Sequence, residues 1–237
     1  MSVLLLRLSG PLQSWGSSSR FTIRTTQREP TKSAVIGLLA SAQGRQRDDD
    51  IEDLLHLGFG VRIDQPGILV NDMQTEHGAN VKAMPLTTRY YLSDAKFLVA
   101  LGADSGLLEG LDQALRHPRW PLYLGRRACP PDYPVSLGLA QQDCVDQALR
   151  THPWMAASWY KRRHQGCRLE VVCDVDCAKD EDKRIVSSQA DVPLSFGAAR
   201  RYAVRTVSRY RIPNPDGPGP DKQRAKAVPD HDPMSFF

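Results

Sequence analysis

Val3-Leu4-Leu5-Leu6-Arg7-Leu8 runs almost directly into Gly10-Pro11-Leu12-Gln13-Ser14-Trp15-Gly16, and this strand-then-loop stretch decides how the rest of the chain is read. The apolar run lacks the alternation of a half-exposed strand, so it reads as a strand buried on both faces. A basic stretch follows and ends at Pro30-Thr31-Lys32-Ser33. Thr31 can cap a helix with Pro30 just outside it. Val35, Leu38, Leu39 and Ala42 then recur at helical spacing, and Gly44 suits the stop. Residues 1–47 hold seven cations (Arg7, Arg20, Arg24, Arg28, Lys32, Arg45 and Arg47) against one acid, Glu29. That imbalance on a strand–loop–helix unit points to a phosphate-rich ligand.

At 237 residues the chain can bury a core unaided, as one large domain or a domain with a smaller appendage. The net charge of +4 is mild, but its distribution is uneven. Residues 48–115 carry twelve acids against four bases, and residues 151–212 carry twelve bases against seven acids. The acidic middle fits solvated helix faces, whereas the two basic ends are candidates for one shared nucleic-acid surface. Five cysteines (Cys129, Cys144, Cys167, Cys173 and Cys177) form no regular framework. The apolar run Val3–Leu6 is interrupted by Arg7, so it is no signal peptide, and nothing approaches a membrane span. The expectation is a reduced, cytoplasmic protein without membrane contact.

Further along, Ile51–Leu57 reads as a short helix with Asp48-Asp49-Asp50 favourably placed at its start. Phe59–Asp64 and Ile68–Val70 read as strands around the turn Gln65-Pro66-Gly67. Residues 71–88 have no strong period and read as a projecting loop or hairpin. Arg89–Leu92 and Ala95–Leu101 return as strand, and Ser105–Arg116 is an amphipathic helix on Leu107, Leu108, Leu111 and Leu115. This order predicts an α+β, ferredoxin-like core. Residues 121–138 read as Pro-rich loop, and Val145–Met155 is ambiguous. Arg168–Val172 and Tyr202–Val207 read as strands of one small sheet. The expected division is a core over 1–140, a smaller β-containing region over 141–212 and a Pro-rich flexible tail over 213–237.

Each chemistry-bearing residue has a plainer alternative. Gly10 and Gly16 let backbone approach a ligand, or make an ordinary tight loop. Lys32 and Ser33 stand in the first turn of the helix, where a cation opposes the helix dipole and an outside phosphate would explain it. Otherwise Lys32 is simply solvated. Trp15 could stack on a base or plug the core. Gly125-Arg126-Arg127 offers two guanidiniums suited to phosphate, or two solvated arginines. Lys161-Arg162-Arg163-His164 is a generic basic run. His77, Lys82 and Tyr90 could form a metal-free ribonuclease set, although nothing in their spacing demands it. The cysteines lack paired zinc spacing and read as free thiols, so no metal or cofactor is expected.

Four blocks carry a resemblance to the CasD family, the RNA-capping subunit of type I-E CRISPR Cascade. They are Gly10–Gly16; Pro30-Thr31-Lys32-Ser33 with Gly37-Leu38-Leu39; Arg89–Phe97; and Tyr123–Pro130. They follow the family's order over roughly residues 1–140. The resemblance implies an RNA-recognition-like core that grips the 5′ handle of CRISPR RNA, with a projecting thumb within about 71–92. It implies Cascade backbone subunits and the large subunit as partners, and target DNA reached through the complex. Related proteins of type I-C systems cleave precursor RNA, whereas in type I-E a separate ribonuclease does so, which implies a non-catalytic chain. The alternative is a metal-independent endoribonuclease acting on CRISPR repeat RNA. Residue by residue, the implied RNA-binding positions are Gln13, Trp15, Gly16, Lys32, Ser33, Arg89, Arg126 and Arg127.

Overall fold

A strand without a polar face needs covering on both sides, and the first strand receives it. The structure, a computed structural model, describes residues 1–16, 22–75, 86–179, 185–197 and 200–217. In chain order its elements are β1 (Ser2–Ser9), β2 (Leu12–Gln13), β3 (Ile23–Arg24), α1 (Lys32–Gln43), α2 (Glu52–Leu55), β4 (Gly58–Gln65), β5 (Ile68–Gln74), β6 (Thr87–Ser93), β7 (Lys96–Ala103) and α3 (Ser105–Arg116). There follow β8 (Ser136–Leu139), α4 (Val145–Thr151), α5 (Ser158–Arg163), β9 (Arg168–Asp174), a 3₁₀ turn at Val175–Cys177, β10 (Ile185–Ser195) and β11 (Arg201–Pro213).

Seven strands form one sheet in the order β10-β11-β9-β4-β7-β1-β8, antiparallel throughout. Leu4, Leu6 and Leu8 of β1 pack with Val35 and Leu39 of α1 and with Leu108 and Leu111 of α3. The alternate residues Val3 and Leu5 pack on the other face against Val145, Ala148 and Leu149 of α4. That two-sided burial is why β1 reads as continuously apolar. A second, mixed sheet is organised by β6, which pairs antiparallel with β2 and β5 and parallel with β3. The architecture is α+β.

Helices α1 and α3 occupy the spans their spacing predicts. Thr31 Oγ1 accepts the Ala34 N–H, and Gly44 closes α1 at φ 81°. Several readings differ from the structure. The strands near the C-terminus do not make a small sheet of their own: β9 pairs with β4 from Gly60↔Cys173 to Ile63↔Glu170 and so extends the central sheet. Strand β5 continues to Gln74, paired with Thr87, so the foot of the 71–88 segment is an extended hairpin. Residues 76–85 lie outside the described residues. Val145–Thr151 resolves as helix, α2 is shorter than expected, and β8 begins inside the predicted loop. Of the tail, Pro213 still pairs with Arg168, and Asp216 accepts hydrogen bonds from Trp154 N–H at 3.4 Å and Lys161 Nζ at 2.7 Å. The rest of it, 218–237, is outside the described residues.

One buried pair fastens α4 to the sheet. Arg62 and Asp64 on β4 have fully buried side chains 2.6 Å apart. Arg62 also donates to the carbonyls of Leu149, His152 and Pro153, the C-terminal carbonyls of α4 and its exit. Asp64 accepts in turn from the Met155 N–H at 2.7 Å. Removing one member of such a pair strands a charge in low dielectric, at about 3–5 kcal/mol. Asp64→Asn should therefore lower unfolding free energy by about that amount in a denaturant titration. A loss under about 1 kcal/mol would contradict this account of the pair.

Candidate nucleic-acid interface

The loop after β1 is set by three buried residues, Gln13, Ser14 and Trp15. Gln13 Nε2 donates to the carbonyls of Ala95 at 2.7 Å and Leu8 at 3.3 Å, tying β2 to β1 and to the β6–β7 turn. Trp15 is 1% exposed, so its indole plugs the core and does not face a base. Its backbone N–H donates to Thr26 Oγ1 at 2.8 Å, and its carbonyl accepts from Gln27 N–H at 2.7 Å. These bonds draw the basic 24–28 stretch alongside the loop. Ser14 N–H donates to the Leu124 carbonyl at 3.1 Å, docking the 123–130 segment onto the same loop. At that contact Gly125 sits at φ 87°, and a Cβ there would lie 1.7 Å from the Ser14 carbonyl oxygen. Two blocks far apart in sequence thus form one unit, and only glycine lets them meet.

Lys32 is buried, and its countercharge comes from within the chain. Its Nζ lies 3.1 Å from Asp174 Oδ2, and its backbone N–H donates to Asp191 Oδ2 at 2.9 Å. The carboxylates that complement the start of α1 therefore arrive from β9 and β10, and the outside anion expected there is not needed. Arg205 completes the network, 2.6 Å from both Asp174 and Asp191. Burial works against the Arg205 charge, but the two carboxylates outweigh it and hold its pKa above the ordinary value. Glu29, the single acid of the first 47 residues, pairs with Arg209.

A cleft of about 650 Å³ opens beside this unit. Its walls are the loop at Ser14 and Gly16, the α1 face from Ser33 to Ser41, the segment at Leu122–Arg126, and Phe196, Arg200 and Tyr202 around the β10–β11 connection. Arg24, Arg45, Arg47, Arg126 and Arg200 line it, and no carboxylate does among the described residues. Arg45 is held by Asp53 at 2.5 Å, which leaves its charge partly answered. Arg126 is fixed in place: its guanidinium lies over the Tyr91 ring at 4.5 Å and donates to the Arg24 carbonyl at 3.0 Å. Its Nη1 is buried without a partner among the described residues. Arg24 and Arg89 stand in register on the parallel strands β3 and β6.

Of the positions named from sequence, Gly16, Ser33 and Arg126 line the cleft, and Arg89 stands next to its wall. Arg127 is exposed beside Arg126 without lining the cleft. Gln13, Trp15 and Lys32 are buried supports. Sequence reading missed the contribution of Phe196, Arg200 and Tyr202, whose only signal was the basic excess of 151–212. The basic run after Ser158 sits on α5, whose Tyr160 packs with the α4 cluster on the opposite face of the sheet. Of the ribonuclease set, His77 and Lys82 lie outside the described residues. Burial pushes the Cys173 thiol up to about 12 and Cys177 to about 11, which makes them inert. No cluster of His, Cys, Asp or Glu among the described residues could hold a metal ion. No described helix is long and apolar enough to cross a membrane.

The contact at Gly125 yields a direct test. Gly125→Ala should displace the 123–130 segment, lowering the melting temperature and exposing the Trp15 indole to a fluorescence quencher. Unchanged melting and quenching would show that the close approach is not required.

Comparisons with known proteins identify relatives of the chain. The family described as "CRISPR-associated protein (Cas_Cas5)" matches residues 3–208. The "CRISPR system Cascade subunit CasD" of Escherichia coli (strain K12) is 36% identical over 169 residues, which cover 62% of this chain and 75% of that protein. A solved "Crystal structure of Cas protein" superimposes with a TM-score of 0.68 at 37% identity, covering 91% of this chain and 97% of the other. A chain of a "CRISPR RNA-guided surveillance complex" does so with a TM-score of 0.72 at 30% identity, covering 94% and 96%. On the breadth of this match, the chain belongs to the Cas5 family of CRISPR-associated proteins.

Proposed function

We propose that the chain is a non-catalytic subunit of a Cascade-type surveillance complex and that its arginine-lined cleft grips the 5′ handle of CRISPR RNA. The observation that carries this is the cleft itself, with five arginines and no carboxylate among its described lining residues. Arginine forks suit phosphate oxygens, and one of them, Arg126, is already oriented by Tyr91 and the Arg24 carbonyl. Partner identity rests on the relatives: a protein named as a Cascade subunit and a chain of an RNA-guided complex.

The strands β4-β7-β1-β8, with α1 and α3 between them in sequence, make the ferredoxin-like core of this reading. The β5–β6 hairpin is the foot of its thumb, whose partners in this reading are the RNA near the handle–spacer boundary and a neighbouring backbone subunit, with the large subunit a further partner of the chain. Target DNA meets the chain only through the assembled complex. Gly16, Ser33, Arg89, Arg126 and Arg127 contact the RNA. Gln13, Trp15 and Lys32 act one step back, holding the loop and the helix start that present them.

The test is handle-RNA binding by the purified chain over a salt series. Arg126→Ala and Arg24→Ala should each weaken binding and flatten the log–log salt slope by about 0.7, one phosphate contact on a single strand. Lys32→Ala should instead lower the melting temperature, since it leaves Asp174 short of a partner. Unchanged affinity and slope in both arginine variants would remove the cleft from RNA binding. Labelled repeat RNA incubated with the chain and EDTA should stay intact. Cleavage that His77→Ala abolishes would move the assignment to an endoribonuclease.

A further inference from the structure

The β10–β11 hairpin does more than close one side of the cleft. Tyr202 on β11 is 39% exposed and Tyr123 in the docked segment is 37% exposed, and both open onto the cleft. Among the described residues, neither ring is stacked on another ring or covered by a guanidinium, in contrast to Tyr91 beneath Arg126. The small α1 residues Ser33, Ala34 and Ser41 also line the cleft. Two uncovered tyrosine rings and flanking arginines match what a base and its phosphates require of a protein.

The hairpin is also held in place before any ligand arrives. The Phe196 ring lies 3.5 Å from where a Cβ on Gly37 would be, so the hairpin end rests directly on α1. Asp191 on β10 is fixed by Lys32 N–H at 2.9 Å and by Arg205 Nε at 2.6 Å, and all three side chains are buried or nearly so. Swinging the hairpin outward would break that network and uncover its charges. The width of the cleft is thus preset, which spares a ligand the entropy of ordering it. Its volume lies within the range of single-ligand pockets, roughly 300–1,000 Å³, and suits a short unpaired segment and not a duplex.

We infer that this cleft holds an unstacked base of single-stranded RNA, with Tyr202 and Tyr123 as stacking surfaces and Arg126 and Arg200 on the adjoining phosphates. The inference rests on the RNA-binding reading above and adds to it a base-binding subsite built partly by the C-terminal hairpin. Arg24 and Arg47, also lining the cleft, let a polyanion continue beyond the occupied pocket, which favours a strand over a free mononucleotide.

The experiment uses the full chain and handle RNA carrying 2-aminopurine at one position at a time, with affinity measured over a salt series. Tyr202→Ala should weaken binding about 10-fold, within what one base–aromatic stack supplies, and leave the salt slope unchanged. Tyr202→Phe should restore binding, since the ring and not the hydroxyl carries the contact. At one handle position the fluorescence should change on binding to the natural protein and not to Tyr202→Ala. Because Tyr202 is exposed, its variants should melt as the natural protein does. If Tyr202→Ala and Tyr123→Ala bind normally while Arg126→Ala does not, the stacking subsite is wrong and the RNA reading stands. If none of the three changes binding, the RNA reading falls and takes the subsite with it. Equal competition by adenosine monophosphate at matched nucleotide concentration would also overturn the proposal, in favour of a mononucleotide pocket.

Discussion

Asp174 accepts from Lys32 Nζ at the start of α1, from the Phe59 N–H on β4 and from Arg205 on β11, and the arrangement of the cleft depends on those three bonds. With Asp191 it supplies, from the C-terminal half of the chain, the negative charge that the start of α1 lacks. The two halves of the sequence are therefore joined electrostatically as well as by the β4–β9 ladder. A buried network of this kind is weak evidence for raw stability, since apolar residues of similar shape often do as well. Its consequence here is geometric. It sets where the β10–β11 hairpin stands against α1, and so how wide the arginine cleft is.

The same network explains how charge is divided between structure and ligand. The basic excess of the first 47 residues points to a phosphate-rich ligand, but not every cation in it is available to one. Lys32 is instead internal, and Arg45 is partly answered by Asp53. In the C-terminal half, Arg205 and Arg209 are bound to acids of the chain itself. What remains at the cleft is Arg24, Arg47, Arg126 and Arg200, drawn from three separate stretches of sequence. Glu29, the one acid of the first 47 residues, pairs with Arg209 and does not line the cleft.

The legible parts of the fold were those governed by local rules. Helix α1 was readable from its threonine cap and glycine stop, α3 from its leucine period, and β1 from a run with no polar face. The less legible parts depend on distant partners. Strand β10 carries Val186 and Val192 among serines, glutamine and proline, with much of its length exposed, so no period marks it. Its place is fixed by pairing with β11 and by Asp191, neither of which a local window shows. The merging of β9 and β11 into the central sheet is hidden for the same reason. At the site, Gly10 was legible because a close backbone approach, here to the Pro130 carbonyl, leaves room only for glycine. Trp15 could not be assigned between base and core, because its type suits both. Phe196 and Tyr202 gave no signal beyond the basic excess around them, because only the tertiary fold brings them to the cleft.

The most direct measurement of the central claim is photocrosslinking of 4-thiouridine-labelled handle RNA to this chain within the assembled complex, with the adducted residues mapped by mass spectrometry. The account predicts adducts at the cleft walls, around Arg24, Leu122–Arg126 and Phe196–Tyr202. Adducts confined to the opposite face of the sheet, around α5, with the cleft walls unlabelled, would contradict it.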